Sequence, residues 1–350
     1  MAERVAARVA RRTETSIDWA TLRSLVTDFE EVTVQAEALV EESTGLHSLA
    51  GPARAQVATR EEWIHANISS FRRLLGPVLA RAGKGGQGLP GLLGPVGRMA
   101  AGAEMGVVLG WMSGRVLGQY DLLFADGDLP RDAVYYVGQN IVSLERRHGF
   151  EPREFRLWIA LHELTHRAQF TGVPWLRAHF LDLVERSIAI ASPDPHQVLE
   201  ALGRMAVDIR SGRNPLAESG LVGAFASPAQ LETLRSIQGM MSLLEGHGDV
   251  TMDRAARDLI PNAAHFSKVL RARRESAGGL TRLFQQLIGL EAKLRQYADG
   301  ASFVREIENA GGPELLSVAW QAPENLPSAA EIKAPDKWVS RVRGLALEPA

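Results

Sequence analysis

The sequence predicts a mainly helical α+β chain with one small sheet near its middle. Three observations carry this expectation. Apolar residues recur at i, i+3, i+4 and i+7 over most of the length, the spacing of half-buried helices. The period changes only over residues 120–145, where short apolar runs alternate with turn residues. A third helical run, at 157–170, carries two histidines one turn apart.

Composition narrows the class. A hydrophobic fraction of 45% with 23% charged residues is that of a soluble globular chain, which excludes disordered and fibrous proteins. Thirty-nine basic against 41 acidic side chains leave a formal charge of −2, so no global field draws the chain to nucleic acid or an anionic membrane. Cysteine is absent, so any metal site must be built from His, Asp and Glu. Residues 1–12 hold no apolar core of signal-peptide length, and the most apolar region, 88–124, is interrupted by Arg98, Glu104 and Arg115, its longest charge-free piece after Glu104 being 105–114, short of a membrane span. A cytoplasmic location is expected.

Taken in order, Leu22, Leu25, Val26, Phe29 and Val32 predict one helix, and Trp63, Ile64, Ile68, Phe71 and Leu75 another. The Gly-rich stretch 83–88 predicts a loop; it lacks a Gly-Lys-Ser/Thr ending and a preceding strand, so it is no phosphate cradle. Gly102, Gly106, Gly110, Gly114 and Gly118 recur at every fourth position, a stripe that lets a second backbone approach closely. Strands are expected at 120–124, 134–137 and 140–144, with 134–140 serving as an edge strand ahead of the motif helix. Pro152 suits a first helical turn, and Gly172 with Pro174 marks its end. Helical periodicity then persists, with breaks near 193–195, 211–215, 278–279 and 311–312. One unit is expected over 1–350, divisible into a helical part at 1–82, a metal-site core at 88–270 and a helical part at 271–350.

The motif itself is His162-Glu163-Leu164-Thr165-His166. Two imidazoles at i and i+4 share a helix face and can grip one Zn²⁺, while Glu163 beside them can act as general base on its water. Nine histidines and 27 glutamates would produce this pattern by chance in only about 0.02 places per chain. No Gly-x-x-His follows His166, so the third ligand lies elsewhere. Seventy-nine residues beyond His166, Glu245 and Asp249 stand at i, i+4 in Glu-Gly-His-Gly-Asp. This resembles the gluzincin arrangement, which implies Glu245 as third ligand and Asp249 as the group that orients a ligand histidine. His247 and Asp249 compete with Glu245 as direct ligands.

The chain as a whole, from Trp19 to Val342, resembles an actinobacterial zincin-like metallopeptidase family. The likeness rests on Val134-Tyr135-Tyr136-Val137, Asn140-Ile141, the His-Glu-Leu-Thr-His and Glu-Gly-His-Gly-Asp motifs, and the C-terminal marks Gly289 to Lys293, Gln296-Tyr297, Leu326-Pro327 and Trp338. The resemblance implies a zincin-like fold and a zinc-dependent metallopeptidase and names no substrate; from the motif, one zinc per chain and hydrolysis of a peptide or small amide are expected. It also implies an association with deazaflavin coenzyme biosynthesis, without naming a reaction.

Around the metal, Asn140 is a candidate substrate contact, and Tyr136, His247, His265 and Tyr297 are candidate donors to a transition-state oxyanion. His148, His179 and His196 are assigned to surface or capping roles, and the arginines at 271, 273 and 274 to a solvated helix face. Two other classes compete with a hydrolase. One is a zincin fold kept as an inactive binding protein. The other is a di-iron bundle, in which Glu62-x-x-His65 would pair with Glu163-x-x-His166 and draw on Glu30, Glu31 or Glu104.

Overall fold

Asp18 opens the first long helix because its carboxylate accepts the Thr21 N–H at 2.9 Å, satisfying an amide that the helix leaves unpaired. That helix, α2 (Trp19–Thr44), follows α1 (Ala2–Arg11) and stops at Gly45, whose φ of 69° forms the left-handed cap that side chains resist. In the computed structural model, the described residues are 1–11, 17–84, 95–120, 122, 132–189, 228–275 and 290–345. They fall into two compact units, Met1–Gly172 with Thr251–Ser267, and Val173–Val250 with Lys268–Ala350.

The first unit holds the small sheet, made of β1 (Arg54–Ala58), β2 (Gly118–Tyr120) and β3 (Ala133–Val137) in the order β1-β3-β2. β3 runs parallel to β1, with Arg54 opposite Ala133, and antiparallel to β2, with Gly118 opposite Tyr136. All five residues of β3 are buried, which is why they read as an unbroken apolar run. Four more helices complete this part: α3 (Arg60–Lys84), α4 (Pro95–Ser113), α5 (Gly138–His148) and α6 (Pro152–Gly172). α2 packs along α6, and α1 along α4.

The glycine stripe acts over only its middle. A Cβ at Gly110 would stand 2.6 Å from the Ala6 carbonyl and 2.7 Å from Val9 Cβ, and Gly106 presses likewise on Ala2 and Val5 of α1. Gly114 lies beyond the end of α4, and Gly118 begins β2.

Three expectations about the sheet are corrected. Strand β3 is central, so 134–140 is not an edge; among the described residues the edges are β1 and β2. Residues 140–144 lie in α5 rather than a strand. The segment from Gly138 to Val142 is buried as one block, and burial on all sides erased the helical period. Asn140 sits inside that block, donating to the carbonyls of Ser113 and Val116 at 2.7 and 2.6 Å and accepting from Arg60 Nε at 2.8 Å. It holds three segments together and is not a substrate contact. Of 120–124, Tyr120 alone joins a strand; residues 121, 123 and 124 lie outside the described residues. β1 was not anticipated, because Arg-Ala-Gln-Val-Ala has a single β-branched residue.

The second unit contains α7 (Leu176–Ala189), most of α8 (Pro228–Ala255), the end of α9 (Ala263–Glu275), α10 (Leu290–Ser317), α11 (Ala329–Ile332) and α12 (Pro335–Leu345). α10 breaks at Gly311 and Gly312, the latter at φ 74°, where the sequence predicted a stop. Its core gathers Leu243, Phe303, Val304, Ile307, Leu316 and Trp338. The buried Trp338 indole donates to the Asn325 carbonyl at 2.7 Å, so its polar edge is satisfied. The expected breaks at 193–195, 211–215 and 278–279 lie outside the described residues, as do His196 and the Gly-rich stretch beyond Lys84.

Candidate metal centre

Helix α6 starts where the Glu151 carboxylate accepts the Glu154 N–H at 2.7 Å and Pro152 takes a position needing no amide. Over 155–170 the helix is buried on almost every side. Its half-buried residues are Trp158, His162, His166 and Phe170, a single i, i+4 row. The motif histidines are the middle of that row.

His162 Nε2 and His166 Nε2 lie 3.2 Å apart. Their outer nitrogens are engaged: His166 Nδ1 pairs with Gln169 Oε1 at 3.0 Å, and His162 Nδ1 faces Met252 Sδ at 3.2 Å. A carbonyl oxygen only accepts, so the His166 proton sits on Nδ1 and its lone pair on Nε2. The thioether is a weak acceptor too and favours the same tautomer of His162. In these tautomers the two Nε2 atoms, 3.2 Å apart, turn their lone pairs to the same side, where one cation can bind both. A tetrahedral ion with bonds of ~2.0–2.1 Å spaces two ligand nitrogens about 3.3 Å apart. The histidine pair fits a metal.

Glu163 belongs to the buried side of the helix. Its Oε2 accepts the Tyr120 N–H of strand β2 at 3.0 Å. Strand geometry makes that amide available. Val137 N–H donates to the Leu117 carbonyl at 2.8 Å, so in the antiparallel register the groups of Gly118 and Tyr120 point outward from the sheet. β2 is fixed from its other face, where the Gln119 amide oxygen accepts from Trp63 Nε1 at 2.6 Å and from Asn67 Nδ2 at 3.3 Å.

In the second unit, Glu245 and Asp249 lie within helix α8, half-buried between the buried Gly246, His247 and Gly248. The segment is therefore helix, as the i, i+4 spacing requires. Gly246 faces Gly300 of α10 so closely that neither tolerates a Cβ. His247 is buried, its ring centroid 5.3 Å from that of Trp320 in an edge-on packing.

The remaining candidates are placed as follows. Tyr136 is fully buried, stacked on Phe29 at 3.9 Å with its hydroxyl bonded to Thr33 Oγ1 at 2.9 Å. Burial drives its phenol far above the ordinary value, and it belongs to the core. His265 is exposed on α9, its ring edge against Phe150 at 5.4 Å. Tyr297 falls in α10, its side chain outside the described residues, as are those of Arg271, Arg273 and Arg274. Glu62 and Thr59 form a reciprocal cap at the start of α3, and His65 pairs with Glu3 on the surface at 2.8 Å. Burial lowers the His179 pKa; the ring lies against Trp175 at 5.8 Å. Sequence reasoning missed Gln169, Met252 and the Tyr120 amide. Gln169 alone carried a signal, being one turn beyond His166.

Comparison with known proteins adds two findings. The chain is similar to a crystal structure of a "putative hydrolase with a novel fold" from Chloroflexus aurantiacus, at 28% identity and a TM-score of 0.72, covering 99% of this chain and 98% of that one. No curated protein matches. The sequence profile of the zincin-like metallopeptidase family matches residues 1–339, and the chain belongs to that family.

Proposed function

We propose that this protein is a zinc-dependent hydrolase of peptide or small amide bonds, with His162, His166 and Glu245 as metal ligands and Glu163 as general base. The observation that carries the reading is the convergence of two imidazole Nε2 atoms on one face of helix α6, with Glu163 the next residue in sequence after His162. The description of the Chloroflexus aurantiacus protein as a "putative hydrolase" supports the reaction class. Two imidazoles and a carboxylate, with no thiolate, are a donor set that suits a catalytic zinc.

Glu245 is assigned from helix α8. The last turn of that helix brings Met252 to His162, and Glu245 precedes Met252 by seven residues, close to two turns, on the same face. Asp249, one turn before Met252, is proposed to share the His162 Nδ1 proton with the Met252 thioether and so to orient that ring.

A divalent ion bound there supplies Lewis acidity toward a carbonyl and lowers the pKa of water toward ~7. Glu163 accepts the proton of the attacking water and returns it to the departing amine. The outward-facing edge of β2, rather than β3, is where an extended substrate backbone would pair, through groups other than the Tyr120 N–H, which Glu163 already holds. A cytoplasmic location, an actinobacterial source and a link to deazaflavin coenzyme biosynthesis belong to the same proposal and rest on the sequence alone. Among the described residues no helix is long and apolar enough to cross a membrane.

The test is Glu163→Gln. The variant should keep one zinc per chain by elemental analysis. It should lose about 10²–10⁴-fold in cleavage of a quenched-fluorescence peptide library, because an amide takes no proton. Undiminished cleavage would remove Glu163 from the mechanism. Two irons per chain, or zinc lost from the variant, would favour the di-iron bundle instead.

A further inference from the structure

We infer that strand β2 positions the Glu163 carboxylate, with Gly118 providing the room and the Tyr120 N–H the hold. The inference deepens the reading of Glu163 as general base and rests on it for its catalytic consequence, but the contact itself can be tested without any reaction.

Gly118 shows no conformational need for glycine, since it is not among the residues with positive φ. What it supplies is space. An ideal Cβ at this position would stand 2.6 Å from Glu163 Cγ, 2.7 Å from Oε1 and 2.8 Å from Cδ. All three atoms belong to one flexible side chain, so an added methyl displaces the carboxylate before it disturbs the backbone. Two residues along, on the same face and with the same outward orientation, the Tyr120 amide donates to Oε2 at 3.0 Å. One carboxylate oxygen is thereby tied to the strand, and the other lies over the bare Cα of Gly118.

A long side chain on a helix is otherwise free to change rotamer, and that freedom costs a general base its alignment. The strand removes it. β2 is itself held from behind by Gln119, bonded to Trp63 and Asn67 of α3, so the support is rigid on both faces. Gly118 and Tyr120 are positioning residues, acting through Glu163.

The experiment is a double-mutant cycle between Gly118→Ala and Glu163→Ala in the full chain, read by chemical denaturation. Gly118→Ala should lower the denaturation midpoint when Glu163 is present, and leave it unchanged or raise it when Glu163→Ala has removed the obstructing side chain. Additive effects overturn the inference. If Gly118→Ala does not fold in either background the inference is also overturned, because the glycine then serves something other than Glu163; folding only alongside Glu163→Ala supports it. The second readout is kinetic, on the quenched-fluorescence peptide library. Gly118→Ala should lower kcat by about 100-fold, the effect of a misplacement near 1 Å, with KM and zinc content close to the parent. An unchanged kcat, or a loss confined to KM or zinc, overturns it. A stability cycle that couples while Glu163→Gln still cleaves would leave the contact standing and refute the hydrolase mechanism instead.

Discussion

The two long faces of helix α6 use polar residues in opposite ways. One face is the half-buried row Trp158, His162, His166 and Phe170, where the histidines meet each other. The other buries two arginines eleven positions apart, each saturated by its own protein. Arg156, 5% exposed, takes both oxygens of Glu145 at 2.9 and 3.0 Å and also pairs with Asp28. Arg167, 1% exposed, binds Asp132 and Glu37 and donates to the Gly51 carbonyl. The difference teaches where the helix stores structure and where it keeps chemistry. Guanidinium groups with complete carboxylate partners tie α6 to α2, α5 and the approach to β3, and this fixes the axis on which the histidine row is displayed. Asp132 even adopts φ 68°, a region uncommon for non-glycine residues, at the point where its Oδ2 meets Arg167.

This division is open to direct attack. The largest effect is expected from His166→Ala. Removing one of two converging imidazoles should abolish stoichiometric metal and with it hydrolysis, while the fold persists, because the residue is half-buried in the open row. Elemental analysis and circular dichroism on the same sample check both halves. Loss of helical content together with the metal would mean that the row is structural and the contrast between faces is false.

Arg167→Ala should do the reverse. It strands Glu37 and Asp132 near the buried end of a pair, a change typically costing 3–5 kcal/mol, with the metal ligands untouched in sequence. Denaturant titration should show that loss, and folded protein at low temperature should still bind zinc. A cost below about 1 kcal/mol would place Arg167 among exposed ion pairs and deny it a scaffolding role.

These two faces were unequally legible in the sequence. His162, Glu163 and His166 could be read because chelation by a helix demands a local spacing, and four residues suffice to show it. The arginines gave no such sign. Arg156 meets Asp28 across 128 positions and Arg167 meets Glu37 across 130, and nothing in either neighbourhood encodes the partner. The same holds for Tyr120, whose contribution to Glu163 is a backbone amide and so leaves no trace in residue type. α5 was mistaken for a strand for a related reason: when every side of a helix is buried, hydrophobic periodicity vanishes and only length and capping remain.

Gln169 sharpens the comparison because it belongs to the buried side yet serves the open row. It is fully buried, and its Oε1 accepts from His166 Nδ1 at 3.0 Å. That bond sets the tautomer that puts the ring lone pair on Nε2, where a metal would bind, and it limits rotation of the ring about its axis. Gln169→Ala deletes the acceptor and should weaken zinc affinity by about 10–100-fold in chelator competition. The cost to the fold should be smaller than that of Arg167→Ala, since the imidazole can turn toward water through the open row. Gln169→Glu separates orientation from packing. It restores an acceptor for the Nδ1 proton, so zinc affinity should recover to near the parent value even though a buried charge lowers the denaturation midpoint. If affinity and stability instead fall together in both variants, the side chain acts as core filling, and orientation of His166 must come from elsewhere on the helix.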